Sequence, residues 1–283
     1  MYPVVEVQDL NPEVVRMVIQ APAIARKHQP GQFVILRIDE TGERIPLTVN
    51  ETDPEAGTVT IVFQKVGAST LQLGALQAGD VLQDVAGPLG KPTDFADAKR
   101  VAVIGGGLGC AIAYPEAKEL HDTGVAVDLI AGFRTESLIF MSEKLEAACD
   151  NLIVVTDDGA NGNRGFVTDA LRNRLLAGEH YDLVIAIGPV VMMEAICKLT
   201  KEFGIRTLVS MNTVMIDGTG MCGCCRVKVG GEYKHACIDG PDFDGHLVDF
   251  SSVMDRSVQF RQFETQALNN YRRMHPQATM RQA

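Results

Sequence analysis

The residues best suited to chemistry are cysteines, and they are unevenly spread. Four of the seven, Cys222, Cys224, Cys225 and Cys237, fall in one segment. It reads Asp217-Gly218-Thr219-Gly220-Met221-Cys222-Gly223-Cys224-Cys225, and Cys237 follows after an eleven-residue gap. Cys222 and Cys225 form a C-x-x-C pair, a chelating turn, and a hairpin across Val227–Tyr233 would return Cys237 to them. An odd cysteine count with one tight cluster predicts metal ligation rather than a disulfide framework. Thiolates suit zinc and iron–sulfur clusters alike. Zinc would take a fourth ligand from His235, Asp217 or Cys224; a [2Fe–2S] cluster usually takes four cysteines. Cys110, Cys149 and Cys197 lie in apolar stretches and read as core residues.

A second feature is a strand, a glycine turn and a helix start: Val101-Ala102-Val103-Ile104, then Gly105-Gly106-Gly107-Leu108-Gly109. Glycines let the backbone approach a phosphate, and the helix N-terminus favours negative charge. The spacing departs from G-x-G-x-x-G, because the sixth position from Gly105 is Cys110. Alone, the turn reads equally well as a plain strand–helix connection. Two further turns follow buried strands, Ala186-Ile187-Gly188-Pro189-Val190 and Thr156-Asp157-Asp158-Gly159-Ala160-Asn161-Gly162. Ligands of open α/β sheets bind beyond the strand carboxyl ends, so the three turns together predict a nucleotide crevice. The strand over 125–130 leads to Gly132-Phe133-Arg134, with no acidic residue at its tip for a ribose hydroxyl. Arg134 suits a 2′-phosphate, the pyrophosphate or plain solvent, which leaves NADH against NADPH open. Asp128 lies inside the strand and reads as structural.

These groups need elements to hold them. The 283 residues suggest two domains or one large one, and 46% apolar residues are ample for a core. Residues 1–97 carry short Val- and Ile-rich runs, Val14–Ile19, Phe33–Ile38, Val59–Phe63 and Val81–Val85, separated by Pro, Gly and Asp. That pattern predicts an antiparallel β-barrel or sandwich. Residues 98–208 alternate strands with helices, the mark of a parallel α/β sheet. Residues 209–250 break that rhythm as a metal-bearing segment, and 251–283 read as a polar helical tail, frayed over Pro276–Ala283. A net charge of −10 argues against nucleic-acid binding. The apolar runs near Val101–Ala113 and Leu183–Met193 are too short to span a membrane, and Met1 leads into no signal peptide. The expected location is the cytoplasm.

In this order, a β domain, an NAD-type α/β domain and a cysteine segment, the chain resembles the ferredoxin–NADP reductase superfamily. The likeness covers about residues 1–250. Within the superfamily it resembles the electron-transfer subunits of dihydroorotate dehydrogenase B. It resembles still more the small alpha subunits of NADH-dependent reduced ferredoxin:NADP oxidoreductases, also called sulfide dehydrogenase subunits. In the dihydroorotate relatives, C-x4-C-x2-C-x11-C binds one [2Fe–2S] cluster. The matching positions here are Asp217, Cys222, Cys225 and Cys237. Aspartate in first place is the mark of the ferredoxin:NADP branch, and Cys224 falls outside the ligand register. The family's flavin motif, R-x-Y-S or R-x-P-[IL]-[ST], matches Arg44-Ile45-Pro46-Leu47-Thr48. That implies Thr48 near flavin N5, Leu47 in the stacking place and Arg44 toward the FAD pyrophosphate. Gly31-Gln32-Phe33 and Gly67-Ala68-Ser69-Thr70 resemble its other cofactor turns; without the resemblance they read as barrel turns.

The resemblance implies a path from NAD(P)H through FAD to a [2Fe–2S] cluster, and on to a larger flavin and iron–sulfur partner subunit. Ferredoxin would act through that partner, in electron bifurcation. Gly105–Gly109, Gly188 and Pro189 would face the nucleotide, with Arg134 and Asp157 beside them. The cofactors would carry the chemistry, and no catalytic acid, base or nucleophile is expected. Three alternatives stand beside this: the dihydroorotate role, a sulfide or polysulfide reductase subunit, and a zinc-stabilised nucleotide-binding protein without redox activity.

Overall fold

The computed structural model describes residues 1–276. The expected fraying of Pro276–Ala283 therefore lies, save for its first residue, outside the described residues. The N-terminal part holds β1 (Tyr2–Asp9), β2 (Val14–Gln20), β3 (Phe33–Arg37), β4 (Ile45–Asp53), β5 (Thr58–Gln64), β6 (Val81–Leu82) and β7 (Asp84–Leu89). Two short helices, α1 (Pro22–Ala25) and α2 (Ala68–Gly74), interrupt them. The strands form one antiparallel sheet in the order β6-β1-β2-β5-β4-β3-β7. β6 and β7 stand at opposite ends of that order, yet only Gln83 separates them in sequence. The sheet must therefore curl until its edges nearly meet, which makes the expected barrel.

Next come β8 (Arg100–Gly106), α3 (Gly109–Asp122), β9 (Ala126–Phe133), α4 (Ser142–Ala147), β10 (Asn151–Thr156), α5 (Val167–Leu176), β11 (Leu183–Ile187), α6 (Val190–Glu202) and β12 (Arg206–Ser210). A hairpin follows, β13 (Arg226–Val229) and β14 (Glu232–His235), then α7 (Ala236–Asp239), β15 (Asp242–Asp244), α8 (Phe250–Ser257) and α9 (Arg261–Met274). The second sheet runs β10-β9-β8-β11-β12-β15, parallel except for β15, which pairs antiparallel to β12. The order turns back at β8, whose neighbours β9 and β11 lie on either side.

Strand periodicity sorts the side chains into three cores. Val34 and Leu36 point into the barrel with Val15, Met17, Ile19, Ile61 and Phe63. Phe33 and Ile35, the alternate residues of β3, point outward into a core shared with Ala102, Ile104, Val184 and Ala186 of the second sheet. Cys225, Val227, Ala236 and Cys237 complete that core. The other face of the second sheet packs Val101, Val103, Leu183 and Ile185 against α3, with Val14 and Val62 of the barrel at its edge. Cys110, Cys149 and Cys197 are buried, as expected. Asp128 is structural: its carboxylate accepts from Tyr181 at 2.5 Å, Arg174 at 2.5 Å and Asn151 at 2.8 Å.

A buried acid pair pins the three parts together. Thr93, between barrel and sheet, donates to Asp242 of β15 at 2.5 Å and lies 3.2 Å from Glu116 of α3. Among the described residues, Glu116 Oε2 and Asp242 Oδ1 are enclosed with no hydrogen-bond partner. Burial, then the charge of Asp242, pushes the Glu116 carboxyl well above its usual range, and burial raises Asp242 too. Groups raised on folding contribute stability that is complete below the unfolded carboxylate range and is lost as pH rises through the folded values. Urea titrations over a pH series should show that decline, up to about 1.4 kcal/mol per pH unit for each proton. Glu116→Gln should flatten it; an unchanged slope would remove the pair from the pH response.

Candidate functional site

The cysteine segment gathers its donors in two pairs. Cys225 Sγ and Cys237 Sγ lie 3.2 Å apart, both buried, at the foot of the β13–β14 hairpin. Arg226 pairs with His235, and Ala236 N donates to Cys225 O at 3.0 Å, so the hairpin sets that spacing. Across the loop, Asp217 Oδ2 accepts from Cys222 N at 3.0 Å, and the Cys222 thiol meets the same carboxylate. Thr219 N donates to Asp217 Oδ1 at 2.8 Å. These donors, the Thr219 amide first, hold the Asp217 carboxyl below its usual range. The backbone of Cys224, ahead of Asp217, lowers the exposed Cys222 thiol. Burial, then the hydrogen bond with Cys225, pushes Cys237 up to about 12. A bound metal must displace that proton, so loading releases protons and favours higher pH.

Among the described residues, no three His, Cys, Asp or Glu side chains converge on one point as a single metal ion requires. Two pairs, Asp217 with Cys222 and Cys225 with Cys237, suit a two-iron centre, which takes ligands two to each iron. The donor set is three thiolates and one carboxylate, all within iron–sulfur chemistry. Cys224 sits beside Cys222, with Cys225 also close by, and its carbonyl accepts from Arg256 at 2.8 Å.

The segment rests on the barrel. Gly218 has φ +79°, and a Cβ there would lie 2.7 Å from Leu89 Cδ1 and 3.0 Å from Ile35 Cδ1. Arg44 Nε donates to Ile216 O at 2.5 Å. On β4, Ile45, Leu47 and Val49 turn into the barrel core, so Leu47 does not present its side chain on the outer face. Pro46 and Thr48 take that face by alternation, opposite Ile35 and Phe33. Asn50, two residues on, shares it: Asn50 Nδ2 donates to Ala111 O of α3 at 2.6 Å, and the buried Oδ1 has no partner among the described residues. The motif reading stopped at Thr48 and missed Asn50, although its even spacing from Pro46 and Thr48 was the signal. Gln32 braces its own turn, accepting from Gln29 N and donating to Gly90 O at 2.9 Å each, and Phe33 is buried in the shared core. Gly31 lies against Thr93, and Thr70 Oγ1 accepts from Gly67 N while Ser69 donates to Glu43.

The nucleotide turns meet at the point where the strand order reverses. Gly105 and Gly106 end β8, Gly107 turns with φ +56°, and Gly109 opens α3. Gly109 backs so closely onto the next strand that a Cβ would lie 2.1 Å from Ile187 O. Gly188 and Pro189 follow that strand and lead into α6. Among the described residues no side chain caps the first turn of α3 or of α6, so two helix N-termini offer amides beside one crevice. Arg134 is largely exposed and lies 3.5 Å from Glu13. Asp157 is exposed, its N–H donating to Phe133 O at 3.0 Å.

A curled barrel, a parallel sheet with a glycine crevice at its switch point and a thiolate-bearing appendage define a ferredoxin-reductase-like electron-transfer protein. Residues 212–249 match the family described as the iron-sulfur cluster binding domain of dihydroorotate dehydrogenase B. The dihydroorotate dehydrogenase B (NAD(+)), electron transfer subunit homolog of Thermotoga maritima is 42% identical over 246 residues, 87% of this chain and 86% of that protein. The corresponding electron transfer subunit of Shouchella clausii is 32% identical over 80% of this chain and 89% of its own length. Among solved structures, one of the NADH-dependent reduced ferredoxin-NADP oxidoreductase is similar with a TM-score of 0.90 and 38% identity, covering 96% of this chain and 98% of that one. A ferredoxin NADP+ reductase from Neisseria gonorrhoeae shares the fold, with a TM-score of 0.58 and 18% identity over 72% of this chain and 90% of its own. The chain belongs to the family of dihydroorotate dehydrogenase B electron-transfer subunits. It is an electron-transfer oxidoreductase subunit of a multi-subunit complex, with an iron–sulfur cluster binding domain. Among the described residues no helix is long and apolar enough to cross a membrane.

Gly109→Ala should force α3 from Ile187 and cost about 1–3 kcal/mol in denaturant unfolding. A variant as stable as the parent would contradict the close approach.

Proposed function

We propose that the chain carries electrons between NAD(P)H, FAD and a [2Fe–2S] cluster, and passes them to a larger flavin and iron–sulfur subunit of a bifurcating ferredoxin:NADP oxidoreductase. Ferredoxin enters through that partner. The observation that carries this reading is the donor arrangement, Asp217 with Cys222 and Cys225 with Cys237. The 38% identity to the NADH-dependent reduced ferredoxin-NADP oxidoreductase chain supports it. The matching relatives named for dihydroorotate dehydrogenase B favour a second reading, electron transfer to a dihydroorotate-oxidising partner. Asp217 in the first ligand place weighs against that role. The location is cytoplasmic, where thiols stay reduced.

Residues 1–97 form the FAD domain, 98–208 the nucleotide domain, 209–250 the cluster segment and 251–283 the tail. Flavin, when bound, exchanges electron pairs with the nucleotide and single electrons with the cluster. Arg44, Pro46 and Thr48 would hold the flavin with Leu47 behind them, and the Gly31–Phe33 and Gly67–Thr70 turns would flank it. Gly105, Gly106, Gly107, Gly109, Gly188 and Pro189 receive the nucleotide phosphates, with Arg134 and Asp157 at the rim. Holding Thr48 and Asn50 on the face toward α3 lets the barrel present the flavin to the nucleotide and keeps water out between them.

Purified without oxygen, the chain should show flavin absorption and broad cluster bands that NADH or NADPH bleaches. Colourless protein with full zinc loading would sink the reading. Iron and sulfide analysis checks the ligands. Cys224→Ala should keep two irons per chain, as a [2Fe–2S] cluster requires, and Cys225→Ala should lose them. Equal loss in both would assign Cys224 to the site.

A further inference from the structure

The Arg44 side chain belongs to the barrel, yet it donates to the cysteine segment, 172 residues along the chain. Its Nε donates to the carbonyl of Ile216, the residue before Asp217. Arginine has five N–H donors in a fixed plane, and this bond uses one. Among the described residues the guanidinium makes no other hydrogen bond or ion pair, which leaves its remaining edge for an anion; Arg44 also borders a cleft with Pro22, Ile24, Val85 and Asp84, whose carboxylate is paired with Arg37. The loop it grips has no helix or strand of its own between Met211 and Cys225. It is seated on the barrel by two observed contacts, the Arg44 bond and the close fit of Gly218 over Ile35 and Leu89. Asp217 lies between those two anchors in sequence. Arg44 also stands directly before β4, the strand whose outer face carries Pro46, Thr48 and Asn50.

We propose that Arg44 is a positioning residue that couples flavin occupancy to the order of the Asp217 loop, because one guanidinium serves both. The inference rests on the cofactor assignment under Proposed function. An anion on the free edge fixes the guanidinium plane, and a fixed plane holds the Ile216 carbonyl and with it the first ligand. Coupling of this kind is reciprocal: loss of the cluster must weaken flavin binding by the same factor by which loss of flavin weakens cluster binding. Lysine cannot replace arginine here, since a single ammonium lacks the two-edged fork.

The test is a double-mutant cycle on the full chain, with FAD affinity read by fluorescence quenching. The four proteins are the parent, Cys222→Ala, Arg44→Gln and the double variant. Cys222 is exposed, so its loss empties the site without opening the core. Removing the cluster should weaken FAD binding about tenfold in the parent and less than twofold in the Arg44→Gln background. Hydrogen exchange over residues 213–222 supplies a readout without turnover. Addition of FAD should slow exchange there in the cluster-free Cys222→Ala protein and not once Arg44→Gln is added, and Arg44→Lys should not restore the effect. Equal weakening in both backgrounds, or FAD-dependent protection that survives Arg44→Gln, overturns the coupling. A parent chain that binds neither FAD nor iron overturns the cofactor assignment instead.

Discussion

The arrangement depends on one short ladder, the antiparallel pairing of β15 with β12. Leu208, Val209 and Ser210 face Asp244, Phe243 and Asp242. Without it, the segment that bears the thiolates would leave the parallel sheet at Ser210 and not return. With it, the segment starts and ends at one sheet edge, and everything between is a loop of fixed base. The ladder also delivers Asp242 to Thr93 and Glu116, so the same three residue pairs that return the chain close the junction with the barrel.

Around that ladder, alternation in β3 does the joining. A strand buried on both faces belongs to two cores, and β3 sends Val34 and Leu36 to one and Phe33 and Ile35 to the other. The second core takes in Cys225 and Cys237, so the sulfur pair is packed against barrel and sheet alike. The burial that fixes the pair also raises the Cys237 thiol. Packing and ligand chemistry oppose each other there, and a metal resolves the conflict by replacing the proton.

Much of this was legible in the residues. Buried strands announce themselves as apolar runs, and Val101-Ala102-Val103-Ile104 lies within β8. The proposed ligand set comes from spacing within one short segment and from family likeness. What was not legible depends on contacts between distant parts. β12 and β15 are short and reveal themselves only as partners. Gln32 has an ordinary turn sequence, and only the position of Gly90 shows that its amide is spent on bracing. Leu47 matched a motif by order, whereas its direction follows from the phase of β4, with Ile45 and Val49 inside the barrel. Glu116 sits in a helix of unremarkable pattern; its burial arises because β15 and the Thr93 linker close over it.

The hairpin between the last two thiolates has a consequence for how such chains diverge. Cys225 and Cys237 are held by the foot of the hairpin, where Arg226 meets His235, while Gly230-Gly231 forms the far tip. Adding one residue to each strand at the tip preserves every pairing below it, because register is counted from the foot. The number of residues separating the two sulfurs is thus free to drift across a lineage while their distance stays constant. Relatives with longer or shorter intervals would hold the same centre, recognisable by the cross-strand partner of the third ligand's neighbour and invisible to a pattern of fixed gaps.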